Sequence, residues 1–184
     1  MSKQFSNLGI IAPLQQSLAN LQITIPTEIQ EKAIPVLLTQ KSDFVGLAKT
    51  GTGKTAAFGL PLLQLIDVEN SAIQAVIIAP TRELGQQIYN NLVLFSTNLP
   101  CISIASICGG IPIKPQIESL KSDTHIVVAT PGRLIDLIKR NAINIKTAQY
   151  LVLDEADEMV TSLKIGLDEI LKELPKKRRT FLFT

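Results

Sequence analysis

The stretch FVGLAKTGTGKTAAF, residues 44–58, sets a short aromatic and β-branched run against a glycine-rich turn and then against a helix-forming run. A strand that ends in such a turn, with a helix beginning there, leaves consecutive N–H groups and the positive end of a helix dipole facing one point, which suits a phosphate. Ala48, Thr50, Gly51, Thr52 and Gly53 form the cradle, Lys54 reaches the terminal phosphates and Thr55 offers a hydroxyl to Mg²⁺. Ala48 stands where the strict pattern has glycine, and Gly51 and Gly53 keep the loop permissive.

Outward from this turn, β-branched runs at 43–47, 74–79, 102–107, 125–129, 150–153 and 180–183 read as strands buried on both faces. Helical periodicities at 29–38, 54–66, 83–95, 115–120, 133–139 and 167–174 separate them. The alternation predicts an α/β domain with a mostly parallel central sheet. The segment PKKRR, 175–179, reads as a solvated turn before the last strand. The chain stops at Thr184 within the run TFLFT, which suggests a fragment of a longer protein.

The 184 residues suffice for one domain with a sizeable core, and 46% hydrophobic against 18% charged residues excludes a disordered chain. No apolar run is long enough for a bilayer and residues 1–6 lack the pattern of a signal peptide, so the expectation is a cytoplasmic protein with no membrane partner. Cys101 and Cys108 are read as reduced thiols, since neither has metal-ligand spacing and His125 is the single histidine. His125, at a strand start, is read as structural. A net charge of +2 is too small to announce a nucleic-acid binder, and 4% aromatics without tryptophan argue against a base-stacking platform. Any nucleic acid would be held by its backbone.

A second stretch, YLVLDEADEM at 150–159, runs an apolar strand into three acids within four positions. An unpaired buried carboxylate is costly, so Asp154 and Glu155 need solvent or a cation. Ligands of open α/β sheets gather at the carboxyl ends of strands, where both the phosphate loop and Asp154 fall. Asp154 is therefore placed to hold Mg²⁺, and Glu155 to orient or deprotonate a water attacking a γ-phosphate. The bland alternative is that these acids cap the next helix.

Taken with its other motifs, the chain resembles the first RecA-like domain of the DEAD-box RNA helicases, whose name residues 154–157 spell. The likeness spans nearly the whole chain. It implies a three-layer, RecA-like P-loop NTPase domain over 1–184, with 1–40 as the Q-motif region and a second RecA-like domain of the same chain missing. The segment IPTEIQ, 25–30, resembles the Q motif; this makes Gln30 the adenine selector, Thr27 its partner near the P-loop, and Phe5, 25 positions earlier, the isolated upstream aromatic. Where the family usually has glycine and an aromatic, this chain has Gln22 and Ile23. Pro80, Thr81 and Arg82, then Gly109 and Gly110, then Thr130, Pro131, Gly132 and Arg133 resemble its RNA-binding motifs. Independently, Thr81 and Thr130 read as helix N-caps and Pro131 as a first helical residue, so helix N-termini could face RNA phosphates. For Arg82 and Arg133, phosphate contacts and internal ion pairs both remain open. Asp157 resembles the residue that couples the ATP site to the motif starting at Thr184.

The resemblance implies an ATP- and Mg²⁺-dependent RNA helicase. Its isolated half would be a monomer that binds nucleotide and single-stranded RNA but is nearly inactive. An ATP-gated RNA clamp that remodels without unwinding fits the same motifs, whereas Glu155 disfavours a P-loop kinase.

Overall fold

The structure is a computed structural model and describes residues 4–184 apart from residue 163. The reading of residues 1–6 thus rests partly on positions outside the described residues. The strands are β1 (Phe44–Gly46), β2 (Ala75–Ile78), β3 (Ile104–Ile107), β4 (Ile126–Ala129), β5 (Tyr150–Asp154) and β6 (Arg179–Phe183). They form one sheet in the order β1-β6-β5-β2-β4-β3, and every neighbouring pair is parallel. The expected mostly parallel sheet is therefore wholly parallel among the described residues. The segment 175–179 is not all turn, because Arg179 already belongs to β6.

The helices are α1 (Ala12–Asn20), α2 (Glu28–Thr39), α3 (Lys54–Leu65), α4 (Arg82–Phe95), α5 (Ile113–Ser119), α6 (Pro131–Lys139), α7 (Ala156–Ser162) and α8 (Lys164–Glu173). Helices cover both faces of the sheet, which explains why its central strands lack a polar face. Ala75, Ile77, Ile126, Val128 and Val152 join the core with α1 to α4; Val76, Ile78, Val127, Leu151 and Leu153 turn to the core shared with α6, α7 and α8. The result is the three-layer arrangement expected from the sequence. No described helix is long and apolar enough to cross a membrane.

Two features of this frame position the site. The ring of Phe183 lies 5.3 Å from Phe58 and 5.5 Å from Phe44, so β6 braces both the strand before the phosphate loop and the helix after it. Separately, β6 lies between β1 and β5. The phosphate loop and Asp154 thus stand two strand spacings apart, roughly 10 Å, wide enough to admit a phosphate chain between them.

Helix α1 was absent from the sequence reading. Ile11 at its N-cap carries no capping group, and the chain leaves it through Gln22 at φ 59 instead of a glycine. Ser17 of α1 is buried and accepts from both the backbone N–H and the side-chain amide of Asn98, which ties the N-terminal segment to the loop after α4.

Candidate active site

The phosphate loop leaves β1 through Leu47 and Ala48, whose N–H donates to the Thr184 carbonyl at 2.8 Å. Gly51 (φ 81) and Gly53 (φ 90) take left-handed conformations that reverse the chain, and Thr52 Oγ1 donates to Lys49 O at 2.6 Å to close the turn. Gly53 is the N-cap of α3, so Lys54 and Thr55 open that helix at its positive end.

Gln30 is buried, not on the surface, and its amide is the clamp between α2 and the loop. Its Nε2 donates to Gly53 O at 3.1 Å, while its Oε1 accepts from Thr27 N at 3.0 Å. A Cβ on Gly53 would meet Gln30 Nε2 at 2.3 Å, so the approach requires glycine there.

A cavity of about 410 Å³ brings Gln30, Thr50, Gly51, Gly53, Lys54 and Thr55 together with Asp154 and Glu155. Leu84, Gln87, Asn91 and Phe95 of α4 line it with Ile23. The sequence reading passed over these four, although their three- and four-residue spacing marks one helix face. Ala48, Thr27 and Thr52 line a second concavity beside the loop. Phe5 lies outside both cavities, 5% exposed in the core shared by α1 to α4.

Asp154 ends β5 at 2% exposure, and its Oδ1 is buried without a hydrogen-bond partner among the described residues. Burial pushes its carboxyl up to about 6, opposed by the positive charge of Lys54 and helped by the neighbouring Glu155. An orphaned carboxylate oxygen beside a buried lysine, with the Thr55 hydroxyl in the same cavity, suits Mg²⁺, a cation usually held by one or two protein groups plus substrate phosphates. Glu155 adopts φ 55, a costly conformation for a side-chain-bearing residue, at the turn between β5 and α7. The acids after Glu155 also fit the capping alternative in part, because Asp157 and Glu158 occupy the first turn of α7. The Thr184 side chain beside Asp157 holds its carboxyl below the usual range. Thr184 therefore touches both the phosphate loop and the acidic motif.

The three segments read as RNA motifs meet beyond β2, β3 and β4. Thr81 caps α4, accepting from Leu84 N at 3.3 Å. Thr130 occupies the N-cap position of α6 but makes no cap bond; its hydroxyl accepts from Gly109 N at 3.2 Å, which corrects the expectation that it caps the helix with its side chain. Pro131 is the first helical residue, as expected. Arg82 Nη1 donates to Gly110 O at 3.1 Å. Arg133 donates to Ile111 O at 2.8 Å and to Gln116 Oε1 at 2.6 Å. Neither arginine pairs with an acid among the described residues; both brace the Gly109–Gly110 turn through neutral acceptors, and Arg82 stays exposed.

A strand–glycine turn–helix with a basic residue at the helix start, facing a carboxylate at the end of a parallel strand in a sheet covered by helices on both faces, is the arrangement of a RecA-like α/β domain. The chain belongs to the DEAD/DEAH box helicase family, whose pattern it matches over residues 27–184. It is 44% identical over 98% of its length to the DEAD-box ATP-dependent RNA helicase CshA of Streptococcus pneumoniae and 43% identical over its whole length to the ATP-dependent rRNA helicase RRP3 of Pyricularia oryzae. In each case it spans 34% of the relative. Among solved structures, a DEAD box protein from Methanococcus jannaschii aligns over 98% of this chain and 49% of its own, with a TM-score of 0.91 at 38% identity. Dbp5 of S. cerevisiae bound to RNA and ADP BeF3 aligns over 99% of this chain and 46% of its own, with a TM-score of 0.88 at 30% identity.

Proposed function

We propose that this chain is the ATP-binding half of an ATP-dependent RNA helicase, in which hydrolysis is coupled to opening short RNA duplexes. The observation that carries the reading is the single cavity holding Lys54, Asp154 and Glu155, with one Asp154 oxygen buried and unpartnered. The loop N–H groups and Lys54 hold the phosphates, and Gln30 retains one N–H and one lone pair beyond its internal bonds with which to select adenine. Thr55 and Asp154 would hold Mg²⁺, which supplies charge neutralisation at the phosphates. Glu155 orients the attacking water and accepts its proton.

The exposed N-terminal turns of α4 and α6, together with the Gly109–Gly110 turn, take the RNA backbone, for which modest net charge suffices because helix ends and backbone N–H groups do the binding. A second RecA-like domain of the same protein would complete the RNA surface and supply arginine to the transferring phosphoryl group. Asp157 and Thr184 connect the two.

The test is ATP turnover with and without single-stranded RNA, for this chain and for the whole protein. The reading expects nucleotide binding with very slow turnover in the chain and RNA-stimulated turnover with duplex separation in the whole protein. RNA-stimulated turnover by residues 1–184 alone would show the catalytic set to be complete without a second domain.

A further inference from the structure

At the end of the sheet opposite the phosphate loop, the starts of β5 and β6 meet the ends of α2 and α3 around a cavity of about 680 Å³. Four cations line it, Lys41, Lys177, Arg178 and Arg179, and no carboxylate does. None of the four takes part in an ion pair among the described residues. The neighbouring Asp43 is engaged by Thr180 N at 2.7 Å.

Arg179 is held in place: its Nη1 donates to Leu37 O at 3.0 Å, at the end of α2, and its guanidinium stands 5.0 Å from the centre of the Phe181 ring. Its Nη2 and the Nε of Arg178 are nevertheless buried without an acceptor. Unpaired donors of this kind are uncommon in folded proteins and leave the positive charge of both arginines uncompensated. The rest of the wall combines the polar Thr39, Gln40 and Gln149 with the apolar Leu38, Leu65 and Tyr150 ring.

We propose that this groove docks an acidic peptide segment of a partner protein, its carboxylates on the four cations and its apolar side chains against Leu38 and Leu65. Charge complementarity selects carboxylates, and the concave, half-apolar wall favours a peptide over a sugar–phosphate chain, which has no aliphatic groups to place there. The segments read as RNA motifs lie at the far ends of the strands, about 15 Å away for strands of four to five residues, so RNA following them does not pass through this groove. The inference does not depend on the nucleotide reading.

Fluorescence anisotropy of the full chain with a labelled peptide of alternating Glu and Leu, compared with a Lys and Leu counterpart and a labelled single-stranded RNA, tests it. Lys41→Glu with Lys177→Glu, both exposed positions that leave the Arg179 contacts intact, should weaken binding of the acidic peptide by about tenfold or more. Lys121→Glu, outside the groove, should leave it unchanged, and none of these changes should alter nucleotide binding. Failure of the unaltered chain to bind the acidic peptide would overturn the proposal. So would peptide binding indifferent to the double reversal, or RNA binding that the double reversal abolishes.

Discussion

At Asp154 burial and function pull in opposite directions. Its carboxyl is raised from 3.8 to about 6 in the folded chain. Below pH 4 it is protonated in both folded and unfolded states and costs the fold nothing. Between pH 4 and 6 the unfolded chain releases the proton that the folded chain retains, so stability falls over this window and the penalty is complete once pH has risen through 6. Asp154→Asn should therefore stabilise the metal-free chain at pH 8, by on the order of 2 to 3 kcal/mol, and hardly at all at pH 4. Urea unfolding of both proteins at the two pH values reads this directly; an equal gain at both would mean that ionisation is not the cause. Gln22 presents a simpler case. It holds φ 59 where glycine would be unstrained, so Gln22→Gly should raise stability by roughly 0.5 to 1 kcal/mol in the same assay, and a loss would show that its side chain contributes more than its backbone costs.

Between elements, two clamps matter. Gln30 joins α2 to the phosphate loop through Gly53 O. Gln30→Ala should lower stability by about 1 to 2 kcal/mol and weaken nucleotide binding, because the loop loses its brace as well as the proposed adenine contact. Gln30→Glu keeps an acceptor for Thr27 N but loses the donor to Gly53 O, so calorimetry should also show weakened binding; unchanged affinity in both variants would remove Gln30 from the site. The second clamp is Arg82 on the Gly110 carbonyl. Gly110 has φ 78, and a Cβ there would meet Arg82 Nη1 at 2.7 Å. Gly110→Ala should displace that arginine and reduce RNA affinity of the whole protein several-fold while sparing nucleotide binding. A variant that loses both equally would mean that the turn supports the fold generally.

How much was legible varied with the range of the signal. Strands such as 75–78 and 126–129 announce themselves because they are apolar on both faces, and the phosphate loop because its glycines and Lys54 are adjacent in sequence. Helix α1 does not, because its start lacks a capping side chain and its exit lacks glycine. The burial of Gln30 was equally hidden, since the Gly53 carbonyl that receives it is 23 residues away. Thr130 shows the limit of local rules: sequence marks it as a cap, and a partner from another strand end takes its hydroxyl.

Across the whole molecule, the strand order sets what the site can be. With β6 between β1 and β5, phosphate loop and carboxylate face each other across a gap, and Thr184, which accepts from Ala48 N and whose side chain lowers the pKa of Asp157, spans it. The segments read as RNA motifs lie along the same end of the sheet, so in the proposed function nucleotide and RNA would be read by loops of one frame. The charged groove at the opposite end is left free for a different partner. The most direct measurement is calorimetric titration of Mg²⁺-ATP into this chain and into Lys54→Ala. The account predicts binding by the first and loss of binding by the second, with the variant still folded by circular dichroism. Equal affinity in the two proteins would contradict the phosphate site on which everything else is built.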